Sequence, residues 1–481
     1  MMESDNEFNI QDFISKQKSY LIAPAGYGKT HTIAECLKYT DGKQLILTHT
    51  HAGVASIKEK INKLNIPHKN YKVETISSFA QKYVFAFHTG KLPKQDDKEY
   101  FSFIIDKATE LLKIKLISNI VKITYTGLFV DEYQDCTQKQ HKFILTLADI
   151  LPTHILGDPL QGIFGFKNDP IINMEEKNEM REFLLNKTEL ETPWRWKKEG
   201  KNDLGMALKD IRSKLEKNEK IELFLYKNII ETYKILEYDK YDFNKIENIY
   251  REKLKNLDSE NSLLIIDPES KNDNLRKKLV KNYKFFMMLE PIDNKEFYKI
   301  AKIIDNINLN NFDKNIIDVI NILFYNISDW FNDKKIKKKQ KEKEKIIIEP
   351  LIVKFNTLNT KIDFNIISSI LMDVKKLPKV RCHRIEMLLS VCNALKIAAN
   401  KKITVYEAMV ETRNIVRRIG RKIYGKYIGT TLLTKGLEFD TVAIIDAHKF
   451  KDKKNFYVAI TRACKRLIIF SESMELNPYS E

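Results

Sequence analysis

The stretch YLIAPAGYGKT, Tyr20–Thr30, opens the reading of this chain. Tyr20–Ala23 is apolar throughout, Pro24–Gly28 is rich in turn formers, and a helical pattern follows from Thr30 to Tyr39. Strand, loop and helix in that order are what a phosphate-binding loop requires. Gly26 and Gly28 let backbone N–H groups face phosphate oxygens with no Cβ in the way, beside Ala25 of the same loop. The helix N-terminus adds positive potential there. In this reading Lys29 reaches the β- and γ-phosphates of ATP, and Thr30 ligates Mg2+. One letter departs: Ala23 stands where the general pattern has its first glycine.

A second element supports the first. LFVDEYQD, Leu128–Asp135, is an apolar strand that ends in two carboxylates. Asp131 at the strand end suits Mg2+, and Glu132 suits the proton of an attacking water. Two acids after a strand are also an ordinary surface feature. A Lys-Thr loop about a hundred residues earlier in the chain makes the catalytic reading the stronger one.

Outward from these two stretches, Leu45–Thr48 and His154–Leu156 repeat the continuous apolar character of Tyr20–Ala23. Such runs predict strands buried on both faces, hence a parallel sheet under helices. The segments Ala52–Leu64, Phe79–Phe87 and Gln138–Leu147 predict the helices between them. The same grammar returns in SLLII (262–266), TVAIIDA (441–447) and RLIIF (466–470). The fold class expected is α/β, a motor-type core. Residues 300 to about 405 read instead as helical and rich in Asn and Lys. Within them KKIKKKQKEKEK, Lys334–Lys345, reads as a solvated loop or exposed helix end, or as a phosphate contact.

The chain has 481 residues and a net charge of +17. Residues 1–195 hold 25 basic and 25 acidic side chains, so the whole excess lies beyond them. A basic second half suits a polyanion, most often nucleic acid, or is a lysine-rich solvated surface. The five cysteines are odd in number and none has metal-ligand spacing; Cys382 beside His383 lacks a second pair. Zinc chemistry is therefore not expected, and thiols in a reducing compartment are. The N-terminus MMESDNEF is acidic without an apolar core, and no apolar run reaches spanning length. The expectation is a cytoplasmic protein with no membrane partner.

Further motifs carry a resemblance. ILGDPLQGIFGF (155–166), LETPWRW (190–196), TKGLEFD (434–440) and YVAITRA (457–463) follow VDEYQD in order. Together with the phosphate loop they resemble the UvrD/Rep-like superfamily-one DNA helicases, whose members often carry Ala at the first position of that loop. The resemblance implies two RecA-like parallel-sheet motor domains with reduced helical insertions. The first spans 1–195 with a short insertion at about 83–125. The second spans 196–300 and 405–481, and a reduced helical insertion spans 300–405. The compact size is similar to the small helicase subunits of anti-phage systems such as Gabija, which work with a nuclease partner.

Roles follow position by position from that resemblance. Gln161 senses the γ-phosphate or its attacking water. Arg195 and Arg462 stabilise charge on the transferring phosphate from opposite sides of a cleft. Glu438, in the box with Gly436, contacts the ribose, and Trp194 stacks on the adenine. Gln11, or else Gln17, reads the adenine. On the nucleic-acid side, THTHAGV (48–54) places Thr48, His49 and Thr50 at the strand-bound face, and TISSF (75–79) adds Thr75 and Ser78. Thr430 belongs to the same set. Phe166 falls where a base would stack, or is core. The departures cluster here too: His49, His51, Ala52, Ser77 and Leu432 replace the residues typical of the family. The expectation is an ATP- and Mg2+-dependent helicase on single-stranded or tailed DNA, moving 3′ to 5′, in repair or anti-phage defence. The alternative is a DNA-gated ATPase sensor that regulates a partner nuclease.

Overall fold

The computed structural model describes residues 8–93, 99–165, 169–236, 249–268, 274–283, 285–290, 295–333, 335–419 and 425–479. These fall into two compact units, one of residues 1–270 with 430–481, the other of 271–429.

The first unit carries two parallel sheets. The strands of the first are β1 (Lys18–Ile22), β2 (Gln44–Thr48), β3 (Tyr71–Thr75), β4 (Gly127–Val130), β5 (Thr153–Gly157) and β6 (Lys187–Glu189). They lie in the order β3-β2-β4-β5-β1-β6, all parallel. β2, β4 and β5 are buried along their whole length, as apolar runs without alternation predict. Both chemical loops leave the carboxyl ends of strands on either side of β5, where an open α/β sheet places its ligands. The loop after β1 holds Ala23–Gly28, and the turn after β4 holds Asp131 and Glu132.

A short strand β7 (Ile221–Glu222) precedes β8 (Glu231–Lys234) and β9 (Leu263–Asp267). The other unit holds β10 (Met287–Met288), β11 (Phe324–Tyr325), β12 (Arg381–Cys382) and most of β13 (Lys426–Thr430). The chain closes with β14 (Phe439–Ile444), β15 (Ala463–Ser471) and β16 (Glu475–Leu476). Within the first unit β9, β14, β15 and β8 lie side by side and parallel. β14 and β15 are the TVAIIDA and RLIIF segments. The chain therefore has the two RecA-like parallel-sheet cores expected of it.

Two helices start earlier than their apolar pattern suggested, because polar caps set the boundary. Thr75 accepts from Ser78 N at 3.1 Å, so that helix runs Ile76–Phe87. Thr50 accepts from Gly53 N at 3.0 Å and opens the helix His51–Lys63. The helices Tyr100–Leu112 and Lys115–Thr124 fill the sequence between β3 and β4.

The second unit is mostly helical. Its core joins Phe312, Ile316, Leu351, Leu371, Leu388 and Leu395 from four helices. Within the lysine-rich run, Lys337 N donates to Trp330 O and the Lys339 ammonium lies 4.4 Å from the Trp330 ring centre. A helix begins inside the run at Glu342. Lys334 lies outside the described residues. Among the described residues no helix is long and apolar enough to cross a membrane.

His154 in β5 sits between the rings of Phe13 and Phe129, 5.2 and 4.9 Å away, with Ser19 Oγ 2.7 Å from Nδ1. Burial lowers its pKa from 6.5 to about 4. The unfolded ring therefore takes up a proton that the folded ring refuses. Its contribution to stability is present above pH 6.5 and is lost as pH falls toward 4. Urea midpoints between pH 7 and pH 4.5 should fall, and His154→Leu should flatten that fall.

Candidate nucleotide site

The phosphate loop is shaped by two left-handed glycines, Gly26 at φ +80° and Gly28 at φ +92°. A Cβ on Gly26 would lie 2.9 Å from the Trp196 ring and 3.0 Å from Arg195 Cβ. Only glycine fits this position, because the PWRW segment presses on the loop from outside. Arg195 N donates to Gly26 O at 2.9 Å, and buried Trp196 donates its Nε1–H to Ala463 O at 2.8 Å. The segment thus bridges the loop and β15.

Lys29 begins the helix Lys29–Cys36 and is buried. Its ammonium lies 2.7 Å from Glu132 Oε1 and 3.7 Å from Asp131 Oδ1. Burial alone would lower the Lys29 pKa, but the two carboxylates raise it. Burial raises the Asp131 carboxyl, which must share the ammonium with its neighbour. On Glu132 burial is outweighed by Lys29 and Lys435, and its pKa is lowered. Glu132 itself holds a left-handed backbone at φ +55°, a conformation uncommon outside glycine that is costly unless its surroundings impose it. Its N–H is satisfied by Asp131 Oδ1 at 2.9 Å. Buried cation, paired acids and a loop of inward-free glycines fit a triphosphate with a divalent cation. Thr30 and Asp131 are the residues that would hold Mg2+.

The acidic box continues into a hydrogen-bonded set whose roles its sequence alone does not reveal. Gln134 donates to Glu132 Oε2 and accepts from Asp158 N at 3.0 Å. Asp158 Oδ2 accepts from Gln161 Nε2 at 2.9 Å, so the glutamine expected to sense the γ-phosphate is held by its own box. Lys435 reaches Asp135, 2.5 and 2.7 Å from its oxygens, and donates to Gln161 O at 2.6 Å. Lys435 is the lysine of TKGLEFD, and this contact joins that box to VDEYQD.

Arg195 and Arg462 are placed differently from one another. Arg195 pairs with Glu438 at 2.5 Å and donates to Thr461 O at 2.6 Å. The residues nominated for phosphate and for ribose are thus bound to each other. Arg462 is 2% exposed and donates to Val458 O, Leu437 O and Thr461 Oγ1. Among the described residues it has no ion-pair partner. Burial, then the nearby Arg195, lowers its pKa to about 10, the mark of a buried cation short of an anion. Trp194 is 43% exposed beside Gly28, whose Cβ would lie 3.6 Å from its ring. Gly436 has φ +80° and open space around it. Gln11 lies exposed on the helix Ile10–Ser15.

The residues nominated for DNA are less uniform. Thr50 is exposed at a helix start, Thr48 is buried in β2, and Thr430 is buried at the end of β13. Thr75 donates to Ser78 Oγ at 2.7 Å while capping its helix, so both hydroxyls are engaged with each other. His49 turns inward: its Nε2 lies 3.6 Å from Cys136 Sγ, and its ring lies near enough to Glu132 to feel that carboxylate. Burial, with Lys435 and Lys29 nearby, lowers its pKa to about 4. Phe166 lies outside the described residues. Arg212 and Tyr457 also enter the site. Tyr457 is visible in YVAITRA, but nothing in the local sequence distinguishes Arg212 from any helix-face arginine.

Residues 93–182 match the family of the UvrD/REP helicase N-terminal domain, a span that contains the acidic box and Gln161. No curated protein matches the chain. Among solved structures, the chain is similar to the Pif1 helicase from Candida albicans, at 11% identity, TM-score 0.37, over 98% of this chain and 95% of that one. It is also similar to an arterivirus nonstructural protein 10 (helicase) in complex with DNA, at 11% identity and TM-score 0.35, over 96% of this chain. The match spans 62% of the arterivirus protein. The family match thus lies on the acidic box, with the phosphate loop, Lys29 and Gln161 gathered around it, and residues 93–182 are similar to the UvrD/REP helicase N-terminal domain.

Proposed function

We propose that the chain hydrolyses ATP to move along single-stranded DNA, 3′ to 5′, and to separate strands, in anti-phage defence or repair. The observation that carries this reading is the Lys29 ammonium held between Glu132 and Asp131 at the tip of β4. ATP phosphates compete for that ammonium. As Lys29 turns to them, Glu132 loses the cation that lowers its pKa and becomes free to accept a proton from water. Gln161, fixed by Asp158, orients that water. Arg462, buried with no ion-pair partner among the described residues, and Arg195, released from Glu438, meet the charge on the transferring phosphate. Mg2+ held by Thr30 and Asp131 would neutralise phosphate oxygens. The adenine would stack on Trp194.

The DNA end of the mechanism rests on His49. It belongs to the segment Thr48–Thr50 expected at the strand, yet its ring sits beside Cys136 and close to the carboxylate of the proposed base. A strand that shifts this segment therefore shifts Glu132. A second reading, an ATPase sensor that regulates a nuclease and unwinds poorly, is favoured by the Thr75–Ser78 pair, whose hydroxyls are already spent on each other.

Wild-type protein should turn over ATP faster with a poly-dT oligomer than without it, and less so with RNA of equal length. Raising salt from 50 to 200 mM should weaken the oligomer's effect by about 300-fold or more in affinity if six or more phosphates of the single strand are neutralised. Lys29→Ala should abolish turnover. Glu132→Gln should keep ATP binding, read by fluorescence of a labelled nucleotide, while turnover falls at least about a hundredfold. Unchanged turnover in Glu132→Gln removes the assignment of the base. A forked-duplex displacement assay separates the two readings: turnover without displacement supports the sensor.

A further inference from the structure

Arg212 lies in the helix Asn202–Glu216, outside every motif named above, and is 4% exposed. Its Nη1 is 2.7 Å from Asp158 Oδ1 and donates to the Tyr457 hydroxyl at 3.0 Å. The same hydroxyl accepts the Ala25 N–H of the phosphate loop at 3.2 Å. Asp158 in turn holds Gln161 and, through Gln134, touches Glu132. One guanidinium thus stands at the junction of three chains of contact. They run to the phosphate loop, to the glutamine that faces the water, and to the base. Tyr457 sits in the helix Lys453–Ile460, which precedes β15 of the second sheet. Glu216 completes the arginine's surroundings at 2.9 Å, with Glu189 at 3.9 Å.

We propose that Arg212 is a positioning residue for ATP hydrolysis, which fixes Gln161 and the phosphate loop to the same helix of the second sheet. A movement of Lys453–Ile460 then acts on both at once. The proposal rests on the ATPase reading above and extends it to a residue outside the nucleotide-binding motifs. The plainer account is a buried ion pair that only holds the two sheets together. That account predicts lost stability without a specific effect on turnover, because the pieces linked through Arg212 would act independently.

Steady-state ATP turnover with saturating poly-dT decides between them, using the full chain. Arg212→Met and Tyr457→Phe should each lower kcat, Arg212→Met by about a hundredfold, with KM for ATP changed far less. Arg212→Met/Tyr457→Phe together should be no worse than the poorer single variant, as expected of groups acting as a unit. Arg212→Lys keeps the charge but not the two-way fork, so it should keep the wild-type melting temperature and still lose kcat. If Arg212→Met does not fold, Arg212→Lys and Tyr457→Phe carry the test. Wild-type kcat in both, or effects that multiply in the double variant, overturns the proposal. Wild-type protein that hydrolyses no ATP overturns the ATPase reading itself, and this proposal with it.

Discussion

A buried ammonium must have an anion, and the site is arranged around that constraint. Lys29 is buried, so its charge is sustained chiefly by Glu132 and Asp131, with Asp158 adding to them. Asp131 is buried and Glu132 is half-buried, the latter with its backbone in a left-handed conformation. Each member is costly alone and tolerable with the others. Any ligand with a denser negative charge than a carboxylate can rearrange the set without creating a buried unpaired charge. This is the physical basis for reading the site as one for a triphosphate rather than as a structural ion pair.

Around that set, contacts from the second sheet converge on the acidic box and the phosphate loop. Lys435 grips Asp135, Arg195 N holds Gly26, and the Tyr457 hydroxyl meets Ala25. Buried Arg462 adds a cation on that side whose guanidinium donates to Val458 O, Leu437 O and Thr461 Oγ1. Small displacements at phosphate thus have short routes to β14 and β15. Packed cores are bistable rather than continuously deformable, so such routes favour two states over a graded response. The nucleotide supplies the differential contact that selects between them.

Much of this was legible in the sequence, for identifiable reasons. Strands buried on both faces leave unbroken apolar runs, so β2, β4, β5, β14 and β15 could be read directly. The phosphate loop and acidic box were legible because their chemistry needs particular residue types at fixed places on a strand end. Helix starts were misread where a threonine cap, not an apolar residue, sets the boundary, as at Thr75. The inward turn of His49 was not legible: a polar residue after a strand suggests exposure, and only its pocket beside Cys136 and Glu132 says otherwise. Arg212 was invisible for a related reason. Its role comes from partners 54 and 245 residues away in sequence, and no local pattern encodes so distant a contact.

The central claim is that the Lys29–Glu132 pair is a placeholder for nucleotide phosphate. A crystal structure of the chain with Mg2+ and a non-hydrolysable ATP analogue tests it most directly. The account predicts Lys29 Nζ on the β- and γ-phosphates, Glu132 released toward a water, and Asp131 and Thr30 at the metal. Nucleotide bound with the Lys29–Glu132 pair intact, or bound away from Gly26–Thr30, would contradict it.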